Sequence, residues 1–288
     1  MENMQETGQK RKKILQVAVA LTLAWSASAA VANPAPLSGE LTIGGTGAAL
    51  GLMQKLGEEF RKSHPAVQFK VLPSLGSGGG IKALLAGRLT LSVSSRPLKD
   101  DERQKGASAK EIARTPLVFA TGLKTPVSSL TLEQIAALYS GKTSQWSDGS
   151  LVRPVLRPLD DIDTHMVRAM SPALEQALQT AHAHAGKNIA ITDTDTADEL
   201  ERIPGSFGSS TLTLIRAEGR ALKILAVDGI QPLAAGQVNP RYPYLKSIYL
   251  VAPAAPSALA QAFAEFVGSA AGAKVLVQTG NVPTGAGQ

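Results

Sequence analysis

The chain has 288 residues, no cysteine, 29 basic against 23 acidic side chains, and only 4% aromatic residues. Without cysteine it can build no disulfide framework, thiolate metal site, iron–sulfur cluster, cysteine nucleophile or lipidated N-terminal cysteine. A hydrophobic content of 44% with 18% charge is too apolar for a disordered chain, and the length suits two domains burying roughly 70–75% of the unfolded surface.

The N-terminus accounts for part of the positive balance. Lys10, Arg11, Lys12 and Lys13 precede Ile14 to Trp25, which is apolar apart from Gln16 and Thr22, and Ala30-Val31-Ala32 follows. That order predicts a secretory signal peptide over residues 1–32, cleaved after about Ala32. The 12-residue apolar part falls short of the ~20 residues a membrane span needs. Beyond the leader, 25 bases face 21 acids, a mild surplus with no basic stripe for nucleic acid. The expected compartment is a Gram-negative periplasm, with Asn33-Pro34-Ala35-Pro36 as an extended linker.

Leu41 to Ile43 reads as a strand, and Gly44-Gly45-Thr46-Gly47 as a loop. Ala49, Leu52, Met53, Leu56 and Phe60 recur at helical spacing up to His64-Pro65. Val67 to Leu72 is a second strand, Gly76-Ser77-Gly78-Gly79-Gly80 a second loop, and a helix is expected from Ile81. Leu89 to Val93 is a third strand, followed by Ser94-Ser95-Arg96-Pro97. This order predicts an α/β fold with a mostly parallel sheet. Further on, Ala113 to Leu123 is a long apolar run. Thr131 opens a helix through a capping box with Gln134, Val152 to Leu156 is a strand, and Ser171-Pro172 caps another helix. Ala221 to Val227 and Lys246 to Ala252 are strands, and Ser257 to Val267 is an amphipathic helix.

Three loops thus follow strands, where open α/β sheets bind ligands. Glycine admits a close ligand approach, and unpaired N–H groups at a helix N-terminus attract anions. Thr46 and Ser77 add hydroxyls. Neither glycine loop has dinucleotide spacing, and Gly141-Lys142-Thr143 lacks the first glycine of a Walker motif. Arg157 precedes Asp160, Asp161, Asp163 and Thr164. An arginine can hold an oxyanion through paired bonds, whereas Asp163 or Thr164 could instead cap the next helix, and the carboxylates could hold Mg²⁺ or Ca²⁺. His182 and His184 read as surface residues. No nucleophile–base–acid constellation stands out, so the residues favour a binding protein over an enzyme.

With these motifs the chain resembles the periplasmic solute-binding proteins of ABC importers, most closely their phosphate-binding branch. The resemblance rests on Gly76 to Gly87 with Ser94 to Leu98, and on Leu130 to Ile135 with Tyr139 to Lys142 and Trp146 to Asp148. Pro204 to Gly208, Leu225 to Gly229, Arg241 to Tyr244 and Gly280 to Pro283 complete it. It implies a two-lobed α/β fold of type II-like form, joined by crossing hinge strands. Lobe 1 would comprise residues 39–120 plus 245–288 and lobe 2 residues 121–244. Inorganic phosphate or a related oxyanion would be held in the cleft, without a cofactor, by a monomer that docks on a membrane permease. Carried over by position, Thr46, Gly47, Ala48, Ser77, Gly78, Ser94, Ser95, Arg96, Arg157 and Thr164 would surround the ligand, with Asp163 as acceptor. Gly47 and Ala48 stand where the family often has Ser and Thr, and the Ser-Gly pair expected after Arg157 is replaced by acidic residues. A sensory or scaffold protein with altered or lost ligand binding is the alternative.

Overall fold

In the computed structural model, which describes residues 37–184 and 186–285, the chain starts with strand β1 (Gly39–Gly45). The expected signal peptide lies outside the described residues. A 3-10 turn (Gly47–Ala49) leads into α1 (Leu50–Ser63), which buries Leu52, Met53, Leu56 and Phe60 on one side. β2 (Val67–Val71), α2 (Gly76–Leu85), β3 (Leu91–Ser94) and the short α3 (Asp100–Gln104) follow. Next come β4 (Ser108–Gly122), β5 (Ser129–Leu130), α4 (Leu132–Tyr139), β6 (Arg153–Leu156), α5 (Ile162–Met170) and α6 (Pro172–Ala183). The middle of the chain ends with β7 (Asn188–Ile189), α7 (Asp193–Arg202), β8 (Ser206–Thr211), α8 (Leu212–Glu218), β9 (Leu222–Ile224) and β10 (Ala226–Val227). A hairpin of β11 (Leu233–Ala234) and β12 (Gln237–Val238) precedes β13 (Leu245–Ala252), α9 (Ala258–Val267), α10 (Ala270–Gln278) and β14 (Val282–Pro283).

The main sheet runs β2-β1-β3-β13-β4-β8-β6-β7, with β14 and β9 also pairing β4. It is mixed rather than mostly parallel. β1 pairs β2 and β3 in parallel, and β6 pairs β7 and β8 in parallel. Between these groups β13 is antiparallel to both β3 and β4, and β4 is antiparallel to β8. The physical reason is that β13 brings the chain back to its first part directly, without the helical crossover that a parallel neighbour needs.

The 15-residue β4 serves two cores. Its Ile112 and Ala113 pack with Leu41, Ile43, Phe60 and Phe263. Its Leu117 and Phe119 pack with Ile135, Tyr139, Leu174 and Phe207. Tyr242 is 2% exposed and ties the crossing point, its hydroxyl donating to the Leu117 carbonyl at 2.9 Å. Among the described residues no helix is long and apolar enough to cross a membrane.

The second glycine run departs from expectation. Gly76 to Gly80 form the first part of α2 rather than a loop before it. Glycine's low helix propensity is overridden by packing: a Cβ on Gly80 would lie 2.5 Å from the Gly45 Cα and 2.5 Å from the Ser92 Oγ. The helix therefore lies directly on β1 and β3. Gly80→Ala should gain up to about 1 kcal/mol of helix propensity yet lose more through overpacking, a net destabilisation of about 1–2 kcal/mol. A lower urea midpoint at unchanged slope is the expected measurement.

Candidate functional site

The ends of β1 and β3 and the start of α2 meet, as the three-loop reading expects. The Thr46 N–H donates to the Val93 carbonyl at 3.0 Å. The Ser95 N–H donates to the Ser77 hydroxyl at 2.9 Å, and the Ser95 hydroxyl donates to the Thr46 hydroxyl at 3.0 Å. Ser94 is turned inward, donating to the Arg96 carbonyl at 2.7 Å. Gly78 is exposed, and a Cβ on it would lie 3.8 Å from the Arg96 guanidinium. That guanidinium lines the cleft and is also paired within its own lobe. It grips both carboxylate oxygens of Glu102 at 2.8 and 2.7 Å and the Pro97 carbonyl at 2.9 Å. The hydrogen bond from Arg96 holds the Glu102 carboxyl below its ordinary range.

Arg157, just after β6, is 5% exposed. It donates to Asp161 at 2.8 and 3.3 Å and to the Ala190 carbonyl at 3.1 Å. Asp161, rather than Asp163 or Thr164, is the N-cap of α5, accepting from the Asp163 N–H at 2.9 Å. It can do both because a carboxylate has two oxygens. Thr164 is buried and donates to the Arg157 carbonyl at 3.3 Å. His182 corrects the surface reading: it is buried, with its ring nitrogens 2.8 and 2.9 Å from the Leu178 and Arg157 carbonyls. His184 is exposed. Asp160 is also exposed, and among the described residues no three His, Asp or Glu side chains are arranged to hold a metal ion.

Beneath these loops lies a group of charges that the sequence reading did not assemble. Lys246, on β13, is 2% exposed and donates to Asp163 and, at 3.1 Å, to Asp193 Oδ1. Asp193, the first residue of α7, accepts from the Thr46 hydroxyl at 3.3 Å through Oδ2, which also lies 3.8 Å from the Arg157 guanidinium. The Ala48 N–H adds a smaller contribution that favours its charged form. Gly47 makes the approach feasible: a Cβ there would stand 2.9 Å from Thr194 Oγ1 and 3.2 Å from the Asp193 Cβ.

Burial and charge compete within this group. At Asp163 desolvation outweighs the pull of Lys246, and neighbouring Asp193 and Asp161 add repulsion, so its pKa is pushed up to about 6. At Asp193 burial acts the same way, but Lys246 and Arg157 overcome it and hold the pKa down to about 2. Burial opposes the charge on Lys246, yet Asp163 and Asp193 raise its pKa. Outside lies a cleft of about 310 Å³, lined by Ser77, Gly78, Arg96, Lys99, Asp160 and Asp161 among others.

Asp193, Lys246 and Ser74 are the site residues that the sequence reading missed. Ser74 has a hydroxyl out of solvent reach and without a partner, 3.0 Å from where a Gly47 Cβ would lie. A signal for Lys246 was present: it shares the inward parity of Ile248 and Leu250, where a lysine needs a carboxylate.

The two cores spanned by β4, with a cleft lined from both sides, define a two-lobed solute-binding architecture. The chain belongs to the PBP superfamily domain family, which matches residues 30–271. It is 30% identical over 111 residues to phosphate-binding protein PstS 2 of Streptococcus agalactiae, a match covering 38% of each chain. The matched stretch is thus under two-fifths of that relative's length. A Clostridium perfringens structure assigned as a phosphate ABC transporter substrate-binding protein, with bound phosphate, superposes at TM-score 0.68 and 20% identity, over 85% of this chain and 100% of that one. An ABC-type phosphate transport receptor from Vibrio cholerae does so at 0.54 and 17%, over 85% and 99%. These two likenesses establish the fold.

Lys246→Met should destabilise the protein by about 3–5 kcal/mol, because it strands two buried carboxylates, and chemical denaturation measures this. The pH dependence has a defined sign. The pKa of folded Asp163 lies at about 6, above the ordinary 3.8, so between these values the native state binds more protons than the unfolded one. Its contribution to stability is full below about 4 and is lost as pH rises through about 6. Asp193 acts oppositely, its contribution vanishing as pH falls towards 2. Asp163→Asn should remove the loss between pH 4 and 6, as read from unfolding midpoints.

Proposed function

We propose that this protein is a binding protein, not an enzyme, that captures a small oxyanion in its interlobe cleft for the membrane permease of an ABC importer. Inorganic phosphate is the leading ligand. The protein would act in the periplasm as a monomer, after cleavage of its leader at about Ala32. The two lobes, expected as 39–120 plus 245–288 and 121–244, would hinge a few residues earlier than that division, where β4 changes core between Ala113 and Leu117, and at the start of β13 beside it.

One observation carries this reading. The Thr46 hydroxyl, the Lys246 ammonium and the Arg157 guanidinium converge on a single carboxylate, with the Ser95 hydroxyl bonded behind Thr46. A carboxylate is an oxyanion, so the donor geometry is that of an oxyanion seat. The names of the matched relatives supply phosphate as the first candidate.

A second reading, a sensory or scaffold protein of the same fold with altered or lost ligand binding, is favoured by the fact that the carboxylate on those donors is the chain's own. Calorimetric titration with phosphate, sulfate, tungstate and molybdate separates the two. We expect saturable heat with phosphate, and silence with all four anions would overturn the carrier. Ser77→Ala removes a hydroxyl that lines the cleft and should weaken phosphate binding about three- to tenfold, corresponding to ~0.5–1.5 kcal/mol for one hydrogen bond.

A further inference from the structure

We infer that Asp193 is a tethered anion occupying the oxyanion seat, so that ligand capture is an exchange in which the incoming anion displaces its carboxylate. This rests on the oxyanion reading above and specifies how that site works.

Asp193 makes contacts of the kind a bound anion needs. One oxygen accepts from Lys246 at 3.1 Å, and the other accepts from Thr46 at 3.3 Å and faces Arg157 at 3.8 Å. These groups come from the β1–α1 turn, the end of β6 and β13, all distant in sequence from residue 193. A second anion on the same donors would lie against the Asp193 carboxylate in a buried setting, where like charges repel strongly. Both cannot occupy the seat.

The rest of the group is arranged to survive the departure of Asp193. Lys246 keeps Asp163, and Arg157 keeps both oxygens of Asp161. With Asp193 withdrawn, Asp161, Asp163, Arg157 and Lys246 form two cations and two carboxylates. A monoanion entering the seat then restores the charge that left. Asp193 stands at the first position of α7, on the short lead from β7, so its departure calls for a change at this helix end. The unpartnered Ser74 hydroxyl beside Gly47 is a spare donor at the seat, unused by the tethered carboxylate and available to a tetrahedral anion.

The test compares inorganic phosphate binding to the wild-type protein and to Asp193→Asn by calorimetry, with amide hydrogen exchange of residues 192–195 in the wild type. Exchange predicts that Asp193→Asn binds phosphate at least tenfold more tightly. It also predicts that phosphate speeds amide exchange at 192–195 in the wild type, a readout independent of how the variant folds. Wild-type binding with equal or weaker affinity in Asp193→Asn, or with increased protection at 192–195, overturns the exchange and leaves the oxyanion reading standing. Silence of both proteins towards phosphate, sulfate, tungstate and molybdate overturns the oxyanion reading and the exchange with it.

Discussion

The buried ammonium of Lys246 is the contact on which the rest of this arrangement depends. Moving an ammonium and its carboxylate partners out of water costs several kcal/mol per ion, and only close mutual pairing offsets that cost. Asp163 comes from α5, Asp193 from α7 and Lys246 from the strand that crosses back between the two parts of the chain. The pairing therefore specifies how these elements meet, in a way that apolar packing alone does not. The group holds one more carboxylate than cation, and burial settles the excess at Asp163, the acid most shifted towards its neutral form. Arg157, held by Asp161 and by the Ala190 carbonyl, fixes the other side of the same charge balance.

Where local chemistry determined a boundary, the sequence was legible. Thr131 with Gln134, Ser171 before Pro172, and Ser257 cap their helices in the structure as their residue types predict. Where tertiary contact overrode local preference, it was not. Gly76 to Gly80 carry poor helix propensity, and their helix exists because Gly80 must lie against β1. The polar run Thr192 to Thr196 is assigned no element from the sequence, yet Thr192 and Asp195 form a reciprocal capping box, and Thr196, Ala197 and Leu200 bury one face of α7. β4 was seen only in its apolar part. Its first residues, Ser108 to Lys110, are exposed and owe their extended form to pairing with Val251, Ala252 and their neighbours.

The candidate site divides along the same line. Thr46, Ser95 and Arg157 stand where strand ends put them, and strand ends can be read from hydrophobic pattern. Which charge meets which is a property of three dimensions. Arg96 reads as a ligand arginine, and what the sequence does not show is that Glu102, six residues later on α3, accepts one bond from each of its two Nη atoms. Asp163 looked like a lone acceptor and is instead the counter-ion of a lysine 83 positions away. A lysine at an inward position of an apolar strand needs an acid, but the sequence offers many acids and no distances.

Under the proposed exchange, the carrier and sensor readings differ in one physical quantity, the stability of the state in which Asp193 sits on the donors of the β1–α1 turn. A ligand shifts a two-state equilibrium only by its differential affinity for the two states. If the tethered carboxylate already draws the lobes together, an entering anion gains only the difference between its own contacts and those it replaces. A weakly held Asp193 leaves most of that free energy to drive closure and suits a carrier. A firmly held one uses it up beforehand, and the same fold then presents a closed face whether or not ligand arrives. Gly47 bears on that contact, because a Cβ there would crowd Thr194 and Asp193 at the start of α7. Under that proposal the choice between the two readings turns on a contact that neither the fold nor the family membership fixes.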